Sequence, residues 1–149
     1  MRKVPEAGEG KRGEGGYLGY LLRQAAAAYR NRAERALSDL GLTQPQFSVL
    51  TMVTAYPGLS NADVARLSLL TPQTANVIVV NLEKSGAIRR TPHAVHGRIQ
   101  QIEVTEHGAA LLAVARERIQ ALEGELTDDM PPDEERIVRK WLVGVAEGG

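Results

Sequence analysis

The stretch that most restricts the fold is TPQTANVIVVNLEKSGAIRR, residues 71–90, because its two local signals oppose each other. Thr71-Pro72 is a helix start: the threonine side chain can accept from a free backbone N–H, and proline at the first helical position gives up no hydrogen bond. Val77-Ile78-Val79-Val80 is a β-branched run and favours a strand. Two further features decide between them. Ala75, Ile78, Val79 and Leu82 fall on one face at helical spacing, and Gly86 stands where a helix C-terminus wants a left-handed residue. The spacing predicts a helix over 72–85, whose outward side carries Gln73, Val77, Val80 and Lys84, flanked by Thr74, Asn76 and Asn81.

The neighbouring segments fit around that helix. Residues 1–16 hold charges, glycines and a proline with almost nothing to bury, which reads as a disordered tail. From Tyr17 to Leu40, apolar residues including Leu18, Leu21, Leu22, Ala25, Tyr29, Ala33 and Leu37 recur at helical spacing until Gly41, so one long helix is expected. Thr43-Gln44-Pro45-Gln46 is a capping box ahead of a second helix that buries Phe47, Leu50 and Val53 and stops at Pro57-Gly58. Ser60, with Asp63 three residues on, caps a third helix containing Val64, Ala65 and Leu67. Beyond the 72–85 helix, Ala87–Thr91 and Ile99–Val104 read as two strands joined by a loop over Pro92–Arg98. Thr105 caps a helix to about Leu126, and Pro131-Pro132 opens a last helix presenting Ile137, Val138, Trp141, Leu142 and Val145.

A helix, short loop, helix and hairpin in that order make a winged helix-turn-helix. The expected fold class is mainly α with a small β-hairpin wing, plus a helical dimerisation region formed by the N- and C-terminal helices. The domain organisation follows: a tail over 1–16, a dimerisation region over 17–42 and 106–146, and a winged helix-turn-helix over 43–105. Both terminal segments are more apolar than the central region can cover, so they are expected to bury each other and the same segments of a second chain.

Charge narrows the partners. The formal net charge is zero, yet residues 1–56 carry eight Lys/Arg against five Asp/Glu, residues 57–105 five against three, and residues 106–149 five against ten. The middle third therefore tolerates a nucleic-acid surface without announcing one. No cysteine occurs, which removes disulfides, thiolate metal sites and thiol redox sensing. No apolar run approaches a membrane span and no signal peptide is visible, so no membrane partner and a cytoplasmic location are expected.

LTQPQFSVL, LSNADVARL, TPQTANVIVVNLEKSGAIRR and HGRIQQIEVTEHG, in this order, resemble the MarR family of bacterial transcription regulators over residues 17–146. The resemblance implies a homodimer whose first and last two helices intertwine, a double-stranded DNA partner with a pseudo-palindromic operator, and a repressor relieved by a small aromatic or anionic effector. It also implies that the helix over 72–85 enters the major groove and that Arg98, in the wing with His96, enters the minor groove. The chain departs from the family at two places: many relatives carry a basic residue at the position of Val77, and an acidic residue with two arginines where this chain has His96-Gly97-Arg98.

Side-chain chemistry gives these residues roles. Gln73 and Asn76 can pair bidentately with adenine, Thr74 can bond bases or phosphates, and Val77 can touch a thymine methyl, each good pair being worth roughly 1–3 kcal/mol. A guanidinium at Arg98 suits a narrow, A-tract minor groove. Ser60, Arg66, Thr71, Lys84, Arg89 and Arg90 are candidate phosphate contacts, which fix register without reading sequence. Tyr20, Arg23, Tyr29, Phe47, Leu50 and Met52 are candidates for one effector pocket between the first two helices, with Arg30 as a second anion partner. His93-x-x-His96 with His107 has donor types that suit zinc, but histidines in a wing tip more often meet solvent or phosphate, so neither metal nor cofactor is expected. No phosphate loop, nucleophile elbow or paired carboxylates suggest an enzyme. The rival to a regulator is a scaffold of the same fold that has lost DNA recognition and works through protein contacts; the neutral outward face of the 72–85 helix is its support.

Overall fold

A computed structural model describes residues 3–95 and 97–149. The first helix, α1, spans Leu18–Leu37 and tightens into a 3-10 turn over Ser38–Leu40 instead of continuing as α-helix. Gly41 closes it in the left-handed conformation, φ 69°, and donates to the Ser38 carbonyl. Helix α2, Gln44–Ala55, starts on the expected box: Thr43 Oγ1 accepts from the Gln46 N–H, and Gln46 Oε1 accepts from the Thr43 N–H. Helix α3, Asn61–Leu67, starts on a second box between Ser60 and Asp63. Hydrogen bonds from the Ser60 hydroxyl and backbone hold the Asp63 carboxyl below the usual carboxylate range.

The contested segment is helix. α4 spans Pro72–Lys84, with Thr71 capping the Thr74 N–H. Its end is a Schellman motif: Gly86, at φ 83°, donates to the Glu83 carbonyl, and Ala87 donates to the Leu82 carbonyl. Caps at both ends and an inward stripe of Ala75, Ile78, Val79 and Leu82 outweigh the β preference of the valines, because burial supplies more than propensity can remove.

Strand β1, Ile88–Pro92, pairs antiparallel with β2, Gln100–Val104, with Ile88 opposite Val104 and Arg90 opposite Ile102. Leu59 extends this ribbon, its carbonyl accepting from the Ile102 N–H at 2.8 Å. Helix α5, Glu106–Leu126, begins where Thr105 caps the Gly108 N–H and donates its hydroxyl to the Gly86 carbonyl. Gly108 has no alternative there: a Cβ would sit 1.9 Å from the Ala87 carbonyl oxygen. Helix α6 spans Pro132–Glu147.

The core is a single cluster built from α2 through α5, including Val49, Leu50, Val64, Val79, Ile88, Ile102 and Leu112, to which α1 adds Ala33 and Leu37. α1 packs along α5, and Arg118 donates to Asp39 and to the Ala36 carbonyl. That contact lowers the Asp39 pKa and raises that of Arg118. The expectation that the terminal helices cover each other is met only in part, because α6 buries no residue. α6 meets the end of α5 over a hollow in which Val138, Leu142, Glu135 and Arg139 face Leu126 and Met130.

The segment before α1, read from sequence as having nothing to bury, carries a 3-10 turn at Gly10–Arg12. Arg12 donates to Gln24 on α1 at 2.8 Å and to the Pro5 carbonyl at 2.9 Å, so polar side chains rather than apolar burial hold it there. Among the described residues no helix is long and apolar enough to cross a membrane.

Candidate nucleic-acid interface

α4 turns its inner stripe to the core and leaves Gln73, Thr74, Asn76 and Val77 exposed together, Val77 with 59% of its surface accessible. α3 supports this helix from behind, and Asn61 reaches the Pro72 carbonyl at 3.5 Å. Thr74 is partly engaged: its hydroxyl accepts from the Thr71 hydroxyl at 3.0 Å. Ser60 and Thr71 both spend their hydroxyls on capping, and Ser60 donates to Asp63 as well. Arg66 and Lys84 are exposed near the ends of α3 and α4. Arg98 is exposed in the loop between β1 and β2, where His93 Nδ1 accepts from the Val95 N–H. His96 lies outside the described residues.

The two neighbouring arginines of β1 have different surroundings, since successive residues of a strand face opposite ways. Arg89 meets Glu103 across the hairpin at 3.4 Å, with the arginine side chain well exposed and the glutamate partly so. Arg90 follows Ile88 onto the inner side and grips Glu83 of α4 through Nε at 3.4 Å and a terminal nitrogen at 2.9 Å. The guanidinium holds the Glu83 carboxyl below the ordinary carboxylate range.

The six residues expected in one effector pocket are divided by the fold. Leu50 is wholly inside the core and Phe47 is half-buried against it. Tyr29 is half-buried; burial, and the Glu123 carboxylate beside its hydroxyl, push its pKa up to about 12. Tyr20 and Arg23 instead line a hollow with Arg12 and Gln24, beneath the N-terminal segment. The separation has a simple cause: Tyr20 and Tyr29 lie nine positions apart on one helix, about 13 Å along its axis.

Met52 and Arg30 line a different cleft, of about 460 Å³, with Gln44, Ser48, Leu67, Ser68, Leu69, Leu70 and Thr74. Sequence reasoning missed the Ser68–Leu70 side of it. Leu69 holds φ 59° and is 91% exposed, an αL conformation that a branched apolar side chain gives no sign of. The buried Ser68 Oγ has no hydrogen-bond partner among the described residues. An arginine at one side with Met52, Leu67, Leu69 and Leu70 around suits a small molecule with an anionic group and an apolar body. Among the described residues, no group of three His, Asp or Glu side chains is arranged to hold a metal ion.

A sequence model of the MarR family matches residues 40–99. The HTH-type transcriptional repressor Rv2887 of Mycobacterium tuberculosis is 35% identical over 125 residues, covering 84% of this chain and 90% of the relative. A crystal structure of that protein in complex with p-aminosalicylic acid superposes with a TM-score of 0.71 at 32% identity, covering 87% of this chain and 98% of that one. The transcriptional repressor CouR bound to a 23-mer DNA duplex superposes with a TM-score of 0.81 at 26% identity, covering 87% and 92%.

Proposed function

The chain belongs to the MarR family, and on that footing we propose that it is a homodimeric repressor that reads a pseudo-palindromic operator and lets go of it when a small aromatic anion binds. The family consists of transcription regulators, not enzymes. The observation that carries the proposal is the outward face of α4: four residues close the core, and Gln73, Thr74, Asn76 and Val77 stand exposed on a helix fixed at both ends. Gln73 and Asn76 pair with adenines and Val77 packs on a thymine methyl, so the half-site leans to A·T. Arg98 enters the neighbouring minor groove from the wing. Arg66, Lys84 and Arg89 neutralise phosphates.

Residues 43–105 form the DNA-binding region, and 17–42 with 106–146 the dimerisation region. The exposed Ile137, Val138, Trp141, Leu142 and Val145 of α6 support this division: such a row on one helix needs a cover, and in a MarR dimer the cover is a second copy. The effector occupies the cleft between Arg30 of α1 and Leu67–Leu70, its anionic group on Arg30 and its ring against Met52 and Leu69. That cleft reaches Thr74 in the first turn of α4, so occupancy acts on the helix that reads DNA. A cytoplasmic location follows from the DNA target.

The test is fluorescence anisotropy on the duplex upstream of this protein's own coding region, with a scrambled duplex beside it, over a salt series. Selective binding that weakens with salt, falls strongly in Arg98→Ala and is reversed by salicylate is expected. Equal affinity for both duplexes at every salt concentration, repeated on sequences selected from a random pool, favours the scaffold that works through protein contacts.

A further inference from the structure

We propose that Glu83 and Arg90 form a strut that sets the distance between the recognition helix and the wing, and that Arg90 is therefore a positioning residue and not a phosphate contact. The proposal rests on the DNA-reading function above. Strand parity decides where Arg90 points. Arg90 shares a face of β1 with Ile88, which is 2% exposed, and stands opposite Ile102, which is fully buried. The side chain accordingly runs along the inner side of the hairpin to α4, and only 26% of it remains accessible.

There it meets Glu83 with two nitrogens on two carboxylate oxygens, a forked contact that fixes orientation as well as distance. Glu83 belongs to the last turn of α4, whose free carbonyls also favour a cation. A guanidinium so occupied has its charge neutralised before DNA arrives. Arg89, one residue earlier and on the outer face, has a single 3.4 Å contact and remains free to turn to a phosphate.

Ile88 and Ile102 fix the base of the hairpin in the core, and the strut ties α4 to the next residue outward on the same face of β1. Without it, the outer part of the wing can tilt against the helix. α4 and Arg98 must enter adjacent grooves together, so a wing held at one angle lowers the ordering cost of binding. The same contact explains why an acidic side chain is tolerated on a helix that approaches DNA: Arg90 cancels its charge.

The test uses full-length dimer and a duplex enriched by the wild-type protein from a randomised pool. Glu83→Gln removes a negative charge near DNA, which on electrostatic grounds alone tightens binding; the strut predicts about tenfold weaker specific binding instead. Arg90→Gln is expected to weaken binding as much, with the slope of log K against log salt unchanged, whereas a lost phosphate contact lowers that slope by about 0.9. The double variant is expected to be no worse than either single one. Arg90→Lys keeps the charge but not the fork, so it is expected to fall near Arg90→Gln, and it carries the comparison if Arg90→Gln does not fold. Tighter binding by Glu83→Gln, or a reduced salt slope in Arg90→Gln with wild-type behaviour in Arg90→Lys, overturns the strut while leaving the regulator reading intact. Failure of the wild-type protein to enrich any sequence overturns both.

Discussion

α4 and α6 look alike on paper and end differently. Each opens on a proline at its first position, runs three to five turns and carries an apolar stripe. α4 buries four residues of its stripe, whereas α6 buries none and leaves Trp141 and Leu142 more than 40% exposed. The difference lies in what each helix leaves uncovered. α4 turns a polar face outward, satisfied by water until a polar partner arrives. α6 turns an apolar one outward, which water cannot satisfy. Helix geometry alone thus does not say where folding stops; the chemistry of the remaining face says what kind of partner completes it.

The strongest test of this contrast is Leu142→Glu. An unpaired carboxylate in the dimer seam is expected to raise the dissociation constant at least about a hundredfold, read by sedimentation velocity. Unchanged dimer would mean that α6 is covered by something else, and the contrast would collapse. Next comes Asn76→Ala on α4, expected to weaken operator binding by roughly 5- to 100-fold with the dimer unaffected, as measured by anisotropy and sedimentation together. A loss of both would mean that the two outward faces are not independent.

A smaller effect separates the helices by pH. Asp63 and Glu83, which hold α3 and α4 in place, have folded pKa values below their ordinary ones. Their contribution is therefore full at neutral pH and lost as pH falls through and below the usual carboxylate range. Asp63→Asn is expected to cost about 1 kcal/mol at pH 7, as capping changes do, and to make acid unfolding less steep by thermal melts at several pH values. The smallest change is Gly144→Ala in α6, where an added Cβ meets nothing within 4 Å in the protomer. A solvent-facing position gains about 0.5–1 kcal/mol of helix stability; a loss of dimer affinity instead would place Gly144 in close contact with the second chain.

Local chemistry explains which parts could be read in advance. Thr43 with Gln46, Ser60 with Asp63, Thr71 before Pro72, and Thr105 each act within three residues, so their helix starts are visible in the chain itself. Gly86 does the same for the end of α4. The strands differ from expectation by a single residue at their edges, where pairing rather than composition decides. The Leu59–Ile102 link was not visible, because it joins residues over forty positions apart. Nor was the αL backbone of Leu69, since the surrounding turn imposes it against the preference of the residue.

The candidate site divides along the same line. That Gln73, Asn76 and Val77 face away from the core follows from the 100° step of a helix once its apolar stripe is known. The partition of the expected pocket into buried Leu50, paired Tyr29 and two separate hollows does not, because it depends on where α1 crosses α2 and where the N-terminal segment lies. The pairing of Arg90 with Glu83 belongs here too: sequence shows two adjacent arginines, and only the hairpin's docking on α4 gives one to a carboxylate and leaves the other outside. Sequence by itself determined the helices, their caps, the inward stripe of α4 and the order of elements that places the chain in its family, because these arise from contacts within a few residues. Tertiary structure decided which charges are already neutralised, which cleft stays open and which apolar face remains uncovered, because each of those is set by distances between elements that no local pattern encodes.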